Sequence, residues 1–104
     1  MAGKTAREVA LLALSACERQ GAWSDGYLKK AIREAGLDGR DAALCTRLCF
    51  GVLQNKLYLD FLIGRFSSVK PEKLEDRVLQ SLRLGAYQMV FLTRIPHSLS
   101  LIHI

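Results

Sequence analysis

The stretch from Leu79 to Pro96, L-Q-S-L-R-L-G-A-Y-Q-M-V-F-L-T-R-I-P, limits the possible folds more than any other part of the chain. Val78, Leu82, Gly85, Met89 and Leu92 recur at alternating spacings of four and three, the period of one helix face. From Leu84 onward the remaining sides are apolar too, through Tyr87, Val90 and Phe91. A helix that is apolar nearly all round needs neighbours on several sides, so this one belongs inside a helical bundle. Gly85 at mid-helix costs about 1 kcal/mol relative to alanine, which predicts that another helix approaches closely there. The pattern gives a helix over about Leu74 to Thr93, entered after Pro71 and ended by Pro96, which has no N–H to continue the ladder.

The rest of the chain reads as four earlier helices. Thr5 and Glu8 stand at capping-box spacing and open a first helix, about Ala6 to Gln20. Val9, Ala10, Leu12, Ala13, Ala16 and Cys17 form its inner face; Arg7, Glu8, Ser15, Glu18 and Arg19 form the other. Its alanines predict close packing. Gly21 ends it, and Ser24 or Asp25 caps a short second helix, about Gly26 to Ala35, that buries Leu28, Ala31 and Ile32. Asp38 or Asp41 opens a third, reaching about Asn55, with Leu44, Cys45, Leu48, Cys49, Val52 and Leu53 inward. Arg47, Phe50 and Gln54 lie towards its other side, as a contact patch or with Phe50 at the edge of the core. A fourth, about Leu57 to Phe66, points Leu57, Phe61 and Leu62 inward. No segment alternates as a strand does, so the expected class is all-α: a bundle of about five helices, incomplete at the C-terminus.

With 104 residues, half of them apolar and 24% charged, the chain has room for one domain with a core of its own. Neither an internal repeat nor a low-complexity linker is visible. The net charge of +5 favours an anionic partner, nucleic acid before acidic lipid. The three cysteines lack disulfide or zinc spacing and read as reduced, buried thiols, so no metal is expected. Neither a signal-peptide core nor a run of about 20 apolar residues is present. A cytoplasmic protein with no membrane association is expected.

The sequence holds no catalytic constellation. Glycine-rich phosphate loops, G-x-S-x-G and H-E-x-x-H are all missing, and no carboxylates pair in an apolar setting. Cys45 and Cys49 share an apolar helix face, which raises a thiol pKa and leaves it unreactive. The suggestive residues are basic. Lys4 and Arg7 stand at the start of the first helix, where backbone N–H groups and cationic side chains together favour phosphate, and Arg19 follows three turns on. These three are the candidate nucleic-acid-binding residues. They also read as one solvated, charged face.

Five segments in order carry a resemblance: A-R-E-V-A-L-L-A-L at Ala6–Leu14, G-A-W-S-D at Gly21–Asp25, G-L-D-G-R-D-A-A-L at Gly36–Leu44, L-C-F-G-V-L-Q-N-K-L-Y-L-D at Leu48–Asp60 and L-R-L-G-A-Y-Q-M-V-F-L-T-R-I-P at Leu82–Pro96. Together they resemble the NusB-type helical domain, more closely the version at the N-terminus of rRNA cytosine-C5 methyltransferases of the RsmB, Sun or Fmu type. The resemblance implies an all-α fold that binds RNA through its basic first helix, which maps onto Lys4 and Arg7. It also implies a longer parent whose Rossmann-like domain binds S-adenosylmethionine and carries catalytic cysteines. That cofactor's loop and the Pro-Cys motif have no counterpart in this chain, so Cys17, Cys45 and Cys49 are not the family's nucleophiles.

In both NusB-like families an alanine-rich stretch and a further helix follow the R-I-P segment. Here His97 and Ser98 lead to L-S-L-I-H-I, the in-frame translation of a transposon-end sequencing adapter. The expected organisation is therefore a truncated RNA-binding domain over residues 1–98 and an assembly artefact over 99–104. The expected function is the RNA-binding domain of a small-subunit rRNA methyltransferase. The alternatives are a free-standing NusB-like antitermination factor, which binds RNA and a ribosomal protein, and a helical protein-interaction module. Loss of the later helices is expected to expose Tyr87, Val90 or Phe91 and to promote self-association.

Overall fold

A computed structural model of the chain describes residues 4–92. The described residues form α1 (Ala6–Gln20), α2 (Asp25–Ala35), α3 (Gly39–Gln54), α4 (Lys56–Phe66), a short 3₁₀ turn (Pro71–Lys73), α5 (Asp76–Tyr87) and a π-helical turn (Gln88–Leu92). They contain no strand. The expected all-α bundle of five helices is what the chain forms. The expected helix end at Pro96, together with His97, Ser98 and residues 99–104, lies outside the described residues.

Local chemistry fixes the helix ends. The Glu8 N–H donates to Thr5 Oγ1 at 3.1 Å and the Thr5 N–H donates to Glu8 Oε1 at 3.0 Å, the reciprocal pair of a capping box. Gly21 closes α1 at φ 80°, and Gly36 closes α2 at φ 68°. Both are left-handed conformations that glycine adopts without strain. Ser24 Oγ accepts from the Tyr27 N–H at 3.1 Å and Asp38 Oδ1 from the Asp41 N–H at 2.8 Å, capping α2 and α3. Asn55 alone separates α3 from α4, and its side-chain amide donates back to the Gly51 carbonyl at 2.8 Å.

Helix α1 is the centre of the bundle. It packs chiefly on α3 and α5 and then on α2, while α4 packs on α5. Ala10 and Ala13 are fully buried in its seam, and the short side chains let α3 approach until the Cys49 thiol lies 3.9 Å from the Ala10 carbonyl oxygen. Leu48, Cys45, Val52, Leu59 and Leu84 complete the core. The inner faces expected for α1 and α3 are buried as read, with Leu12, Leu44 and Leu53 at the margin. Ser15, expected on the polar face, is buried instead.

The two later helices are turned relative to expectation. Leu57 (87% exposed) and Phe61 point outward, and α4 buries Leu59, Leu62 and Ile63. The four-three stripe faces solvent: Val78 and Leu82 (41%) on α5 and Met89 (60%) in the π turn are exposed, and no described residue comes within 4 Å of a Cβ placed at Gly85. The buried face is Leu79, Gln80, Arg83, Leu84 and Tyr87. The cause is electrostatic as well as apolar, because this rotation gives the Arg83 guanidinium two carboxylates from neighbouring helices. Close helix approach occurs at Gly51, not Gly85. A Cβ at Gly51 would overlap the Tyr87 ring. Tyr87 is therefore buried, and of the residues expected to be uncovered Phe91 is exposed and Val90 half-buried.

Candidate nucleic-acid interface

Lys4 and Arg7 stand together, exposed, at the entrance of α1. The π turn at the end of α5 brings Gln88 to them. Arg7 Nε donates to Gln88 Oε1, while Gln88 Nε2 donates to the Leu84 carbonyl at 3.1 Å. Arg7 is thereby tied across the bundle to α5. The same entrance carries Glu8, whose carboxyl is held below the ordinary 4.5 by its hydrogen bond to the Thr5 backbone, with the Thr5 hydroxyl and Lys4 adding to it. An ionised Glu8 between two cations leaves the entrance with a modest positive charge. Arg19 is exposed at the other end of α1, about 18 Å along the helix axis at 1.5 Å per residue. The structure unites Lys4 with Arg7 and separates Arg19 from both.

Ion pairing sorts the remaining cations. Among the described residues only Lys56 and Arg83 pair with carboxylates. Lys29, Lys30 and Arg33 on α2, and Arg40 and Arg47 on α3, are exposed without an acidic partner. Unpaired exposed cations also include Arg65 on α4, Lys70 and Lys73 at the 3₁₀ turn and Arg77 on α5, so the positive charge is spread over the surface, with Lys4, Arg7, Arg19, Lys29, Lys30, Arg33, Arg40 and Arg47 at or on α1, α2 and α3.

Sequence reasoning missed a polar hub between α1, α4 and α5. Arg83, only 4% exposed, reaches Asp60 with Nε to Oδ1 at 2.7 Å and Nη2 to Oδ2 at 2.8 Å, a bidentate fork. Its Nη1 donates to Glu18 Oε1 at 2.7 Å, and Gln80 Nε2 donates to the same oxygen at 3.1 Å. Burial acts to lower the Arg83 pKa, but the bonds to Asp60 and Glu18 outweigh it and the net direction is up. Glu18 is held down by Arg83 first, with Lys56 contributing from 3.6 Å. The hub ties α1, α4 and α5 together and consumes its own charge.

Cys17, Cys45 and Cys49 are all buried, and the Cys49 thiol is pushed up by its hydrogen bond with Cys45 and by burial. Both circumstances disfavour a reactive thiolate. Among the described residues no group of three metal-ligating side chains occurs, and no helix is long and apolar enough to cross a membrane. The cavity beneath Trp23 holds about 110 Å³ and the groove beside it about 570 Å³. The wider groove beside it is an open trough lined by Glu18, Asp60, Glu72 and Asp76 against Lys56 and Arg83.

These features define a small all-α bundle with a self-neutralised interior and a basic exterior. The chain belongs to the NusB family, whose pattern it matches over residues 4–102. It is 41% identical over 90 residues to the "Probable ribosomal RNA small subunit methyltransferase B" of Bacillus subtilis, a match covering 86% of this chain and 20% of that protein. A Synechocystis protein of the same description is 29% identical over 94 residues, covering 90% of this chain and 21% of its own length. The transcription antitermination protein NusB of Bacillus licheniformis is 37% identical over 103 residues, covering 97% of this chain and 76% of that protein. The chain thus spans about a fifth of the length of the methyltransferases it matches. No solved structure matches it.

Proposed function

We propose that this chain is the RNA-binding domain of a small-subunit rRNA cytosine-C5 methyltransferase, acting in the cytoplasm. It would hold rRNA for a catalytic domain that lies elsewhere in the parent and supplies S-adenosylmethionine and the nucleophile. The observation that carries this reading is the pairing of 86% coverage of this chain with 20% coverage of the Bacillus subtilis methyltransferase. Most of this NusB-like chain is matched, and four-fifths of the relative lies outside the match, room for a catalytic domain. Lys4 and Arg7 at the α1 entrance supply the phosphate contacts, with Arg19 a separate, more distant one.

Binding of a small-subunit rRNA fragment, followed as salt rises, tests the reading. The double variant Lys4→Ala/Arg7→Ala should bind more weakly, and its log–log salt slope should flatten by roughly 0.9 per lost phosphate contact. Unchanged affinity and slope would remove the α1 entrance as an RNA site. Failure of the wild-type chain to bind RNA at low salt would favour a helical protein-interaction module instead, using the exposed apolar residues of α4 and α5. Self-association of the isolated chain through those same residues is part of the proposal.

A second reading, a free-standing antitermination factor, is favoured by the 76% coverage of the Bacillus licheniformis NusB protein. The gene downstream of Ser98 separates the two. Continuation into a methyltransferase domain supports the first, and about one more bundle of helices followed by a stop supports the second. The proposal that Leu99–Ile104 is an adapter artefact has the same test. Independently amplified genomic DNA that encodes L-S-L-I-H-I followed by a stop codon would overturn it.

A further inference from the structure

The outward face of α3 runs Arg40, Ala43, Arg47, Phe50 and Gln54, at alternating helical spacings, and all five are exposed. Residues so spaced line one side of a helix. Arg40 and Arg47 stand about 10 Å apart along the axis, and neither pairs with a carboxylate among the described residues. At the far end of the row Phe50 meets Trp23 edge-to-face, with 5.8 Å between ring centroids and 67° between planes. The Trp23 indole N–H donates to Asp25 Oδ1 at 2.7 Å, which fixes the ring. An edge-to-face pair uses at most one ring face. Trp23 is half-buried against the core and Phe50 is 36% exposed, so the row presents two guanidinium groups leading to a held aromatic pair whose Phe50 ring is open to solvent.

We propose that this α3 face is a single-stranded RNA-binding surface, separate from the α1 entrance. Arg40 and Arg47 take backbone phosphates, and a base stacks on the Phe50–Trp23 pair. Only the class of partner rests on the RNA-binding reading above. The carboxylates near the row set its polarity. Asp25 is committed to Trp23 and Asp38 to the Asp41 N–H, while Asp41 adjoins Arg40 in sequence and weakens the field there. Arg47, with Ala43 and Gln54 as its neutral neighbours on the face, carries the larger share. A single strand fits better than a duplex because stacking needs a base whose face is free, and paired bases hide theirs within the stack.

Trp23 is the only tryptophan in the chain, so its emission reports this surface alone. The full chain should be titrated with a uridine decamer, a duplex of equal length and a polyaspartate peptide. The decamer should quench Trp23, and Phe50→Leu, which keeps apolar bulk but removes the ring, should weaken binding by about tenfold. Arg40→Ala/Arg47→Ala should weaken binding and flatten the salt slope, with helicity and melting confirming the fold of each variant. RNA binding that leaves Trp23 emission unchanged and survives both variants, yet falls in Lys4→Ala/Arg7→Ala, would overturn this inference and leave the RNA reading standing. Absence of any RNA binding by wild type at low salt would overturn both. Equal quenching by the duplex, or by polyaspartate, would overturn the assignment to a single strand.

Discussion

The two sides of α5 are opposite to what their composition suggests. One side, Val78, Leu82 and Gly85, is apolar and faces solvent; the other holds Gln80 and Arg83 and is buried. An apolar stripe gains only from being covered, whereas a guanidinium that meets two carboxylates in good geometry is lost if the helix turns. The bidentate fork to Asp60 and the bond to Glu18 therefore decide the rotation, and Leu79, Leu84 and Tyr87 on the same side add the apolar burial. Periodicity names the stripes a helix could bury. The partners available on neighbouring helices select among them.

The largest effect that could break this comparison is expected from Arg83→Ala. Removing the cation leaves Asp60 without its fork and Glu18 with only Lys56 and Gln80, and losing one member of a buried pair costs on the order of 3 kcal/mol. Urea unfolding of the full chain measures it, and a loss below about 1 kcal/mol, the range of surface pairs, would mean that the hub does not set the rotation of α5. Acid should expose the same dependence more gently. Because Arg83 depresses the Glu18 pKa in the folded chain, this contribution is complete above the ordinary carboxylate value of 4.5 and is lost as pH falls through the lower folded value. Glu18→Gln should therefore flatten the stability profile below pH 4.5. An unchanged acid limb would show that Glu18 contributes nothing to it.

The glycines sharpen the comparison with effects of opposite sign. Gly51 lies under the Tyr87 ring, on the buried side of α5, so Gly51→Ala should destabilise by about 2 kcal/mol through overpacking. Gly85 is on the solvent side, with no described residue near its would-be Cβ, so Gly85→Ala should stabilise by nearly 1 kcal/mol through helix propensity alone. Thermal melts of both variants check the pair. Destabilisation by Gly85→Ala would mean that another helix does sit on the stripe.

Much of the first half of the chain was legible in its sequence, because its signals are local. Thr5 with Glu8, Ser24, Asp38, Gly21 and Gly36 act within four residues of themselves, and each does what its type and position foretell. The hub was not legible, since Glu18, Asp60 and Arg83 come from three helices and no local spacing links them. The candidate interface divides in the same way. Lys4 and Arg7 could be found as charges at a capped helix start, and Arg47 with Phe50 as neighbours on one helix. The meeting of Phe50 with Trp23 depends on how α3 packs beside the turn after α1, which only the tertiary structure gives.

The smallest expected effect tests the solvent-facing stripe directly. Leu82 is 41% exposed and its burial in the isolated bundle is partial, so a charge there meets water and not the core. Leu82→Glu should change stability by no more than about 0.5 kcal/mol, the usual range for surface substitutions. Because the stripe is also where copies of the chain would associate, the variant should remain monomeric at concentrations where the wild type does not. Sedimentation and thermal melting of the same samples separate the two effects. An unchanged melt with reduced association would identify the stripe as an uncovered contact surface. A fall of several kcal/mol in the monomer would mean that Leu82 is covered, and the contrast between the two sides of α5 would then disappear.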